Sequence, residues 1–329
     1  MKTKTTKLGI TLAGVLALIV TSAHADTFGS GGNAFTIDFV TIGDPGNAND
    51  SGTTGSYFTP YGGVGYTFQM GKYEISEDMI NKANTAGGLF ITKDTRGVNK
   101  AATSVSWNEA ARFVNWLNVS QSYAPAYQFT LNPGDGGYTS NTQANANLVL
   151  WTVSDAGYDA SNPYRNSNAH YFLPSENEWY KAAFYSGSGT TYFDYATGSD
   201  VIPTPVASGT GAGTAVYNGG GATAPADITQ AGGLSPYGTM GQDGNVWEWN
   251  ESAFTAPNDS SSVGRAFRGG SWSFPVSSLR ASARSNGSPT DSLYNIGFRV
   301  ASVPEPSCAI LMLGSGLVFL ARRRRARSL

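Results

Sequence analysis

Gly238–Trp249 reads GTMGQDGNVWEW, and two later stretches, Arg268–Trp272 (RGGSW) and Gly297–Ala301 (GFRVA), share its character. Glycine and tryptophan alternate here, and glycine lets a backbone turn tightly or approach another group closely. Trp247 and Trp249 flank Glu248, so an extended segment puts both rings on one face and the carboxylate on the other. A carboxylate set among large aromatics needs a compensating charge, either an arginine or a bound cation. Residue types alone favour a tryptophan-lined core in which Glu248 pairs with Arg268, Arg284 or Arg299.

Three further stretches lie upstream: Gly71–Ser76 (GKYEIS), Val105–Leu117 (VSWNEAARFVNWL) and Phe172–Tyr180 (FLPSENEWY). Together with the first three, in this order, they resemble the formylglycine-generating-enzyme (sulfatase-modifying factor) domain over about Phe35 to Ser302. The resemblance implies an α+β, C-type-lectin-like fold, loop-rich, with a few helices and short antiparallel strands. It speaks for the fold more than for the chemistry.

The ends of the chain are addresses. Met1–Ala25 has a lysine-rich start, an apolar run from Leu8 to Val20 and the small-residue site Ala23-His24-Ala25. This is the layout of a secretory signal peptide, with signal peptidase cutting between Ala25 and Asp26. The other end reads Val303-Pro304-Glu305-Pro306, an apolar run from Cys308 to Ala321, then Arg322–Arg325. The fourteen residues of this run reach ~21 Å, short of the ~30 Å hydrocarbon core. The arginines would face the cytoplasm. This tail resembles the PEP-CTERM sorting signal. The resemblance implies an exosortase partner, transient contact with the inner membrane, and delivery to the cell envelope or the exterior. The expected organisation is a signal peptide over 1–25, one domain over 26–302 and a sorting signal with a short transmembrane segment over 303–329.

Composition fits an exported body. Aromatics at 12% and 41 glycines point to a loop-rich globular protein. Between Asp26 and Val303 there are 13 basic and 22 acidic residues, a net charge of −9, which argues against a nucleic-acid partner. Cys308 is the single cysteine and lies in the tail, so the body has no disulfide, thiol nucleophile or thiolate metal site.

Along the chain, Phe35–Ile42 and Tyr66–Ile75 alternate as strands, and Ser76 with Glu77 and Asp78 starts a helix running to about Ala86. Ser106-Trp107-Asn108-Glu109 and Ser175-Glu176-Asn177-Glu178 are capping boxes in front of helices. Glu109 and Glu178 could be paired catalytic carboxylates, but capping explains them more simply. Strands are expected at Tyr127–Leu131 and Leu148–Val153, and long loops at Gln121–Ala169 and Gly187–Gly233. Gly209-Thr210-Gly211 lacks the strand and helix of a nucleotide fingerprint. His170, alone in the body, reads as structural.

The resemblance also carries expectations about metals. The family oxidises a substrate cysteine with copper(I) held by two cysteines between its RGGSW-like and GFR-like motifs, and soft thiolates suit that ion. Here the interval from Ser273 to Ala283 reads SFPVSSLRASA, without cysteine, so no copper site is expected. Relatives that build sulfoxides use a histidine-held iron, which His170 alone cannot supply. In the family's GNVWEW loop calcium takes two carbonyls, a carboxylate and a side chain four residues before the asparagine. By resemblance these fall on Gly244, Val246, Glu248 and Gly241. Gly241 departs from the pattern because it has no side-chain oxygen, although Asp243 is close in sequence. A second calcium site maps onto Asn218 and Asp227.

The reading is an exported, non-catalytic binding or structural protein, its loops offered to a surface glycan or protein ligand. The alternative is an oxidoreductase-type protein-modifying enzyme with a non-cysteine site.

Overall fold

A computed structural model describes residues 24–52, 60–141, 148–255, 260 and 262–304. The N-terminal half contains β1 (His24–Phe28), β2 (Phe35–Ile42), β3 (Phe68–Gly71), α1 (Glu77–Gly87), α2 (Trp107–Ser120), β4 (Gln128–Phe129) and β5 (Leu148–Val149). The C-terminal half adds β6 (Tyr171–Phe172), α3 (Glu176–Phe184), β7 (Thr204–Pro205), β8 (Thr214–Ala215), β9 (Trp247–Ala253), β10 (Arg265–Arg268), β11 (Ser285–Gly287), β12 (Ile296–Gly297) and β13 (Ala301–Ser302). This is an α+β fold in which ordered loop outweighs helix and strand.

Two sheets frame it. One runs β1-β2-β3-β13-β6, with every neighbour antiparallel. β2 alternates as its sequence does: Phe35, Ile37 and Phe39 are buried while Thr36 and Asp38 are exposed. The second sheet runs β11-β10-β9-β12, with β9 antiparallel to β10 and parallel to β12. Strand β9 carries Gly238–Trp249's last three residues, so Trp247 and Trp249 share one face and Glu248 takes the other.

The helices begin as their sequences dictate. The Ser76 hydroxyl accepts from the Met79 amide, Glu77 and Asp78 sit in the first turn of α1, and Gly88 closes it in the left-handed conformation. Ser106 with Glu109, and Ser175 with Glu178, form complete capping boxes. Helix α2 is buried along most of its length and meets the second sheet through reciprocal indoles. Trp107 Nε1 donates to the Asn250 carbonyl at 3.0 Å, and Trp249 Nε1 to the Val105 carbonyl at 2.9 Å.

Several boundaries differ from the expectation. Tyr66–Ile75 narrows to β3: the Lys72 amide still reaches the Asp38 carbonyl of β2, but Ile75 turns away and donates to the Phe298 carbonyl. The strands expected at Tyr127–Leu131 and Leu148–Val153 shrink to β4 and β5. Gly187–Gly233 is an ordered loop that holds the parallel β7–β8 pair. Trp247, Trp249 and Phe298 share the main core cluster with Trp107 and Phe113, whereas Trp272 packs in a separate cluster with Val216, Ala226 and Val246. Strand β1 starts at His24, two residues before the expected cleavage position, with Asp26 opposite Ile37. The leader before His24, and Glu305, Pro306 and Cys308 of the tail, lie outside the described residues. Among the described residues no helix is long and apolar enough to cross a membrane.

Candidate functional site

The carboxylate that β9 turns away from its tryptophans is Glu248, fully buried, and its partner is Arg299 of the GFRVA stretch. Arg299 Nε donates to Glu248 Oε2, and one of its terminal nitrogens to Oε1, both at 2.6 Å. Trp179 Nε1 adds a third bond to Oε2 at 2.6 Å. The rest of the guanidinium goes to backbone, with the Gly71 carbonyl at 2.9 Å and the Met240 carbonyl at 2.8 Å. Burial works against the charge on Arg299, but Glu248 outweighs it and raises the pKa. Of the three arginines the sequence allowed, Arg299 takes Glu248. Arg268 and Arg284 both donate to Glu176, at 2.7 and 2.8 Å to the same oxygen. A third centre places Arg165 between Glu178 and Glu251, at 2.8 Å from each.

The turn leading into β9 is built round Asn245. Its backbone is left-handed, with φ +52°. Its amide donates to the Val216 carbonyl at 2.7 Å, its side-chain oxygen accepts from the Ala226 amide at 2.7 Å, and its Nδ2 donates to Glu74 Oε1 at 2.8 Å. Gly244 must be glycine: φ is +86° and a Cβ would run into the Val216 carbonyl. Gly241, at φ +85°, is approached as closely, but by a side chain: a Cβ there would overlap the Glu74 carboxylate. Glu74 is 1% exposed, and its Oε2 has no hydrogen-bond partner. Burial pushes its carboxyl up to about 7, with Arg299 pulling down and Glu248 pushing up. Asp243 points elsewhere. Its Oδ2 accepts from the Thr197 amide at 2.9 Å, and burial pushes this carboxyl up to about 7 as well.

The mapped calcium positions divide. Gly244, Val246 and Glu248 stand in one buried turn and strand. Asn218 is exposed, its amide donating to the Phe274 carbonyl at 3.0 Å, while Asp227 pairs with Lys100 at 3.0 Å. Among the described residues no group of three or more His, Cys, Asp or Glu gathers as a metal-holding set. A calcium site of carbonyls and one or two carboxylates needs no such group. In the first site the donor chemistry fits a hard cation: the side chain Gly241 lacks has its space filled by the Glu74 carboxylate, with one buried oxygen unpartnered.

The interval from Ser273 to Ala283 is tied down through backbone. The Ala281 amide donates to the Asp194 carbonyl at 2.9 Å, and Arg268 donates to the Ala281 and Ala283 carbonyls at 2.8 and 2.9 Å. Leu279 is fully buried against Tyr195 and Tyr217. Glu109 and Glu178 both cap helices, Glu109 also accepting from Thr92 and Glu178 from Arg165 and Tyr66. His170 is buried and stacks on Tyr123 at 4.5 Å, in keeping with a structural role.

Residues 62–303 match the sulfatase-modifying factor enzyme 1-like domain. The chain belongs to this family. Residues 302–325 match the PEP-CTERM protein-sorting motif, which implies exosortase processing and export to the cell envelope or outside. Val303 and Pro304 of that motif follow β13 directly, and the Val303 amide donates to the His170 carbonyl at 3.0 Å. Two solved structures are similar. Treponema denticola variable protein 1 is 21% identical, with a TM-score of 0.61 over 86% of this chain and 100% of that one. CarF is 19% identical, with a TM-score of 0.56 over 82% of this chain and 99% of that one. At such identities the likeness bears on the fold. The comparison with curated proteins finds no match. This sulfatase-modifying-factor domain carries no cysteine, the chain's one cysteine lying in the sorting motif.

Sequence reasoning quoted Glu74, Glu176 and Glu178 inside motifs without seeing their partners, and passed over Arg165 and Glu251. A usable signal was scarcity. Only 13% of residues are charged, so charges inside aromatic-rich motifs had to find one another across the fold.

Proposed function

We propose that this protein is an exported, non-catalytic binding or structural component that keeps the sulfatase-modifying-factor scaffold without its oxidase chemistry. The observation that carries the reading is the interval from Ser273 to Ala283, which holds serines and no thiol where the family resemblance puts two copper-binding cysteines. Oxygen ligands hold copper(I) weakly, and a body with no cysteine has none of the thiolates by which the family resemblance holds that ion. Arg268 and Arg299 of these motifs are spent on Glu176 and Glu248, which suits a frame. The loops over 121–169 and 187–233 are the surface for a glycan or protein ligand outside the cell, since ligand sites concentrate on loops carried by a rigid scaffold. In this reading calcium in the Gly244–Glu248 turn is structural. Signal peptidase frees Asp26, and the tail holds the chain at the inner membrane until the exosortase acts.

The test is turnover of a cysteine-containing peptide by the exported protein with added copper. No formation of aldehyde above a heat-denatured control is expected. Turnover that depends on folded protein would overturn the reading in favour of an oxidoreductase with a non-cysteine site.

A further inference from the structure

Two buried carboxylates, Glu74 and Glu248, face one guanidinium, and the guanidinium is committed. Arg299 gives Nε and a terminal nitrogen to Glu248 and its remaining donors to the Gly71, Lys72 and Met240 carbonyls. Glu74 receives one bond, from Asn245 Nδ2 to Oε1. Its Oε2 receives none, although the residue is 1% exposed. A carboxylate buried in that state is costly unless a proton or a cation joins it.

The Glu74 carboxylate fills the space a side chain at position 241 would enter: both its oxygens, the Asn245-bonded Oε1 the nearer, lie within 2.6 Å of where a Cβ on Gly241 would be. The turn it reaches runs Gly241–Glu248, with left-handed residues at Gly241, Gly244 and Asn245. Glu74 also lines a cavity of about 180 Å³ whose wall mixes Thr36, Asp38 and Thr229 with the apolar Ile37, Ile75 and Ile228.

We propose that Glu74 is a ligand of a calcium ion at this turn, supplying from the GKYEIS stretch the carboxylate that position 241 does not provide. The ion then sees carboxylate oxygen from Glu74 and Glu248 and the carbonyls of Gly244 and Val246. Calcium accepts such a mixed oxygen set, whereas magnesium demands a stricter octahedron and gives up water reluctantly. Arg299 offsets one of the two carboxylates, and the other is left to face the cation, whose second charge meets only the carbonyl dipoles of the turn. The inference deepens the structural role given to calcium above and is independent of whether the domain turns over a substrate.

Terbium(III) takes calcium's place on oxygen ligands and emits when a nearby indole is excited, and Trp179 already touches Glu248. Exported protein stripped by chelator should show terbium emission on tryptophan excitation. Calcium should quench that emission competitively and raise the melting temperature. Glu74→Gln keeps size and the Asn245 contact but removes the charge, so terbium affinity should fall at least tenfold and the calcium shift in melting should vanish. Should Glu74→Gln fail to accumulate, Glu74→Asp, which withdraws the oxygens by one methylene, must show the same tenfold weakening. A parent with no terbium emission and identical melts in calcium and chelator overturns the site. Parent-like terbium affinity in Glu74→Gln or in Glu74→Asp overturns the role of Glu74.

Discussion

One guanidinium stands among two carboxylates twice in this fold, and the two places are built differently. Arg165 lies between Glu178 and Glu251 and bonds both oxygens of each, at 2.8–3.1 Å. Tyr127 and Asn162 add donors to Glu251, and Tyr66 and the Ser175 amide add donors to Glu178. Arg299 stands among Glu248 and Glu74 but turns its fork onto Glu248, leaving Glu74 Oε2 bare. The formal charges are the same in the two places, one positive and two negative. What separates them is the count of donors per oxygen. Where every oxygen has a donor, the cluster is a closed piece of frame. Where one lacks a donor, the fold has left room for something else.

The comparison breaks most severely at Arg299. Arg299→Met removes the one cation from a centre holding two carboxylates, both at most 1% exposed. Removing one partner of a buried pair costs ~3–5 kcal/mol, because the other charge stays buried and alone. Urea denaturation should show a loss of that size. A loss under ~1 kcal/mol would mean that the centre is open to water and that its donor count carries no meaning.

At the closed centre the effect is smaller and depends on pH. Burial alone would raise the Glu178 carboxyl, but Arg165, Tyr66 and the Ser175 amide outweigh it and hold it below its ordinary 4.5. A carboxyl lowered by folding stabilises the native state above its unfolded pKa, and that stability is lost as pH falls through the folded value. Glu178→Gln should therefore cost ~1.5–3 kcal/mol at pH 7, the range for hydrogen bonds to charged groups. The deficit should shrink as both proteins are acidified below pH ~4.5. Parallel stability curves for parent and variant down to pH 2 would show that Glu178 does not titrate as a member of the closed cluster.

Much of the frame was legible in the sequence. The period-two split of Trp247 and Trp249 from Glu248 follows from any extended backbone, and the capping boxes at Ser106 and Ser175 are local devices read from four residues each. The choice of Arg299 over Arg268 and Arg284 was not legible, since it depends on the parallel pairing of β12 with β9, which sets Gly297 opposite Glu248. Glu74 was hidden for a similar reason. Its position against Gly241 is a close approach of two distant segments, and a glycine in a sequence announces that something comes near without saying what. Trp272 belongs by motif with Trp247 and Trp249 but by packing with Val216 and Ala226, because the RGGSW backbone turns at Gly269 and Gly270, both at positive φ.

Asp243 gives the smallest expected effect and the sharpest control on the comparison. It is a buried carboxyl beside the same turn, pushed up to about 7 by burial, with no arginine or lysine contributing to that shift. Oδ2 accepts from the Thr197 amide, which an asparagine oxygen in the same place would keep. The Thr197 hydroxyl lies beside the carboxyl, so the new NH2 group has a neighbouring acceptor to find. Asp243→Asn should thus change stability by less than ~1 kcal/mol, in either direction, since it breaks no charge pair and leaves no new group unsatisfied. Calorimetric melts with calcium and with chelator measure it. A loss of ~2 kcal/mol or more confined to the calcium condition would show that Asp243, two residues from Gly241, carries the cation, and the donor count at Glu74 would then need another explanation.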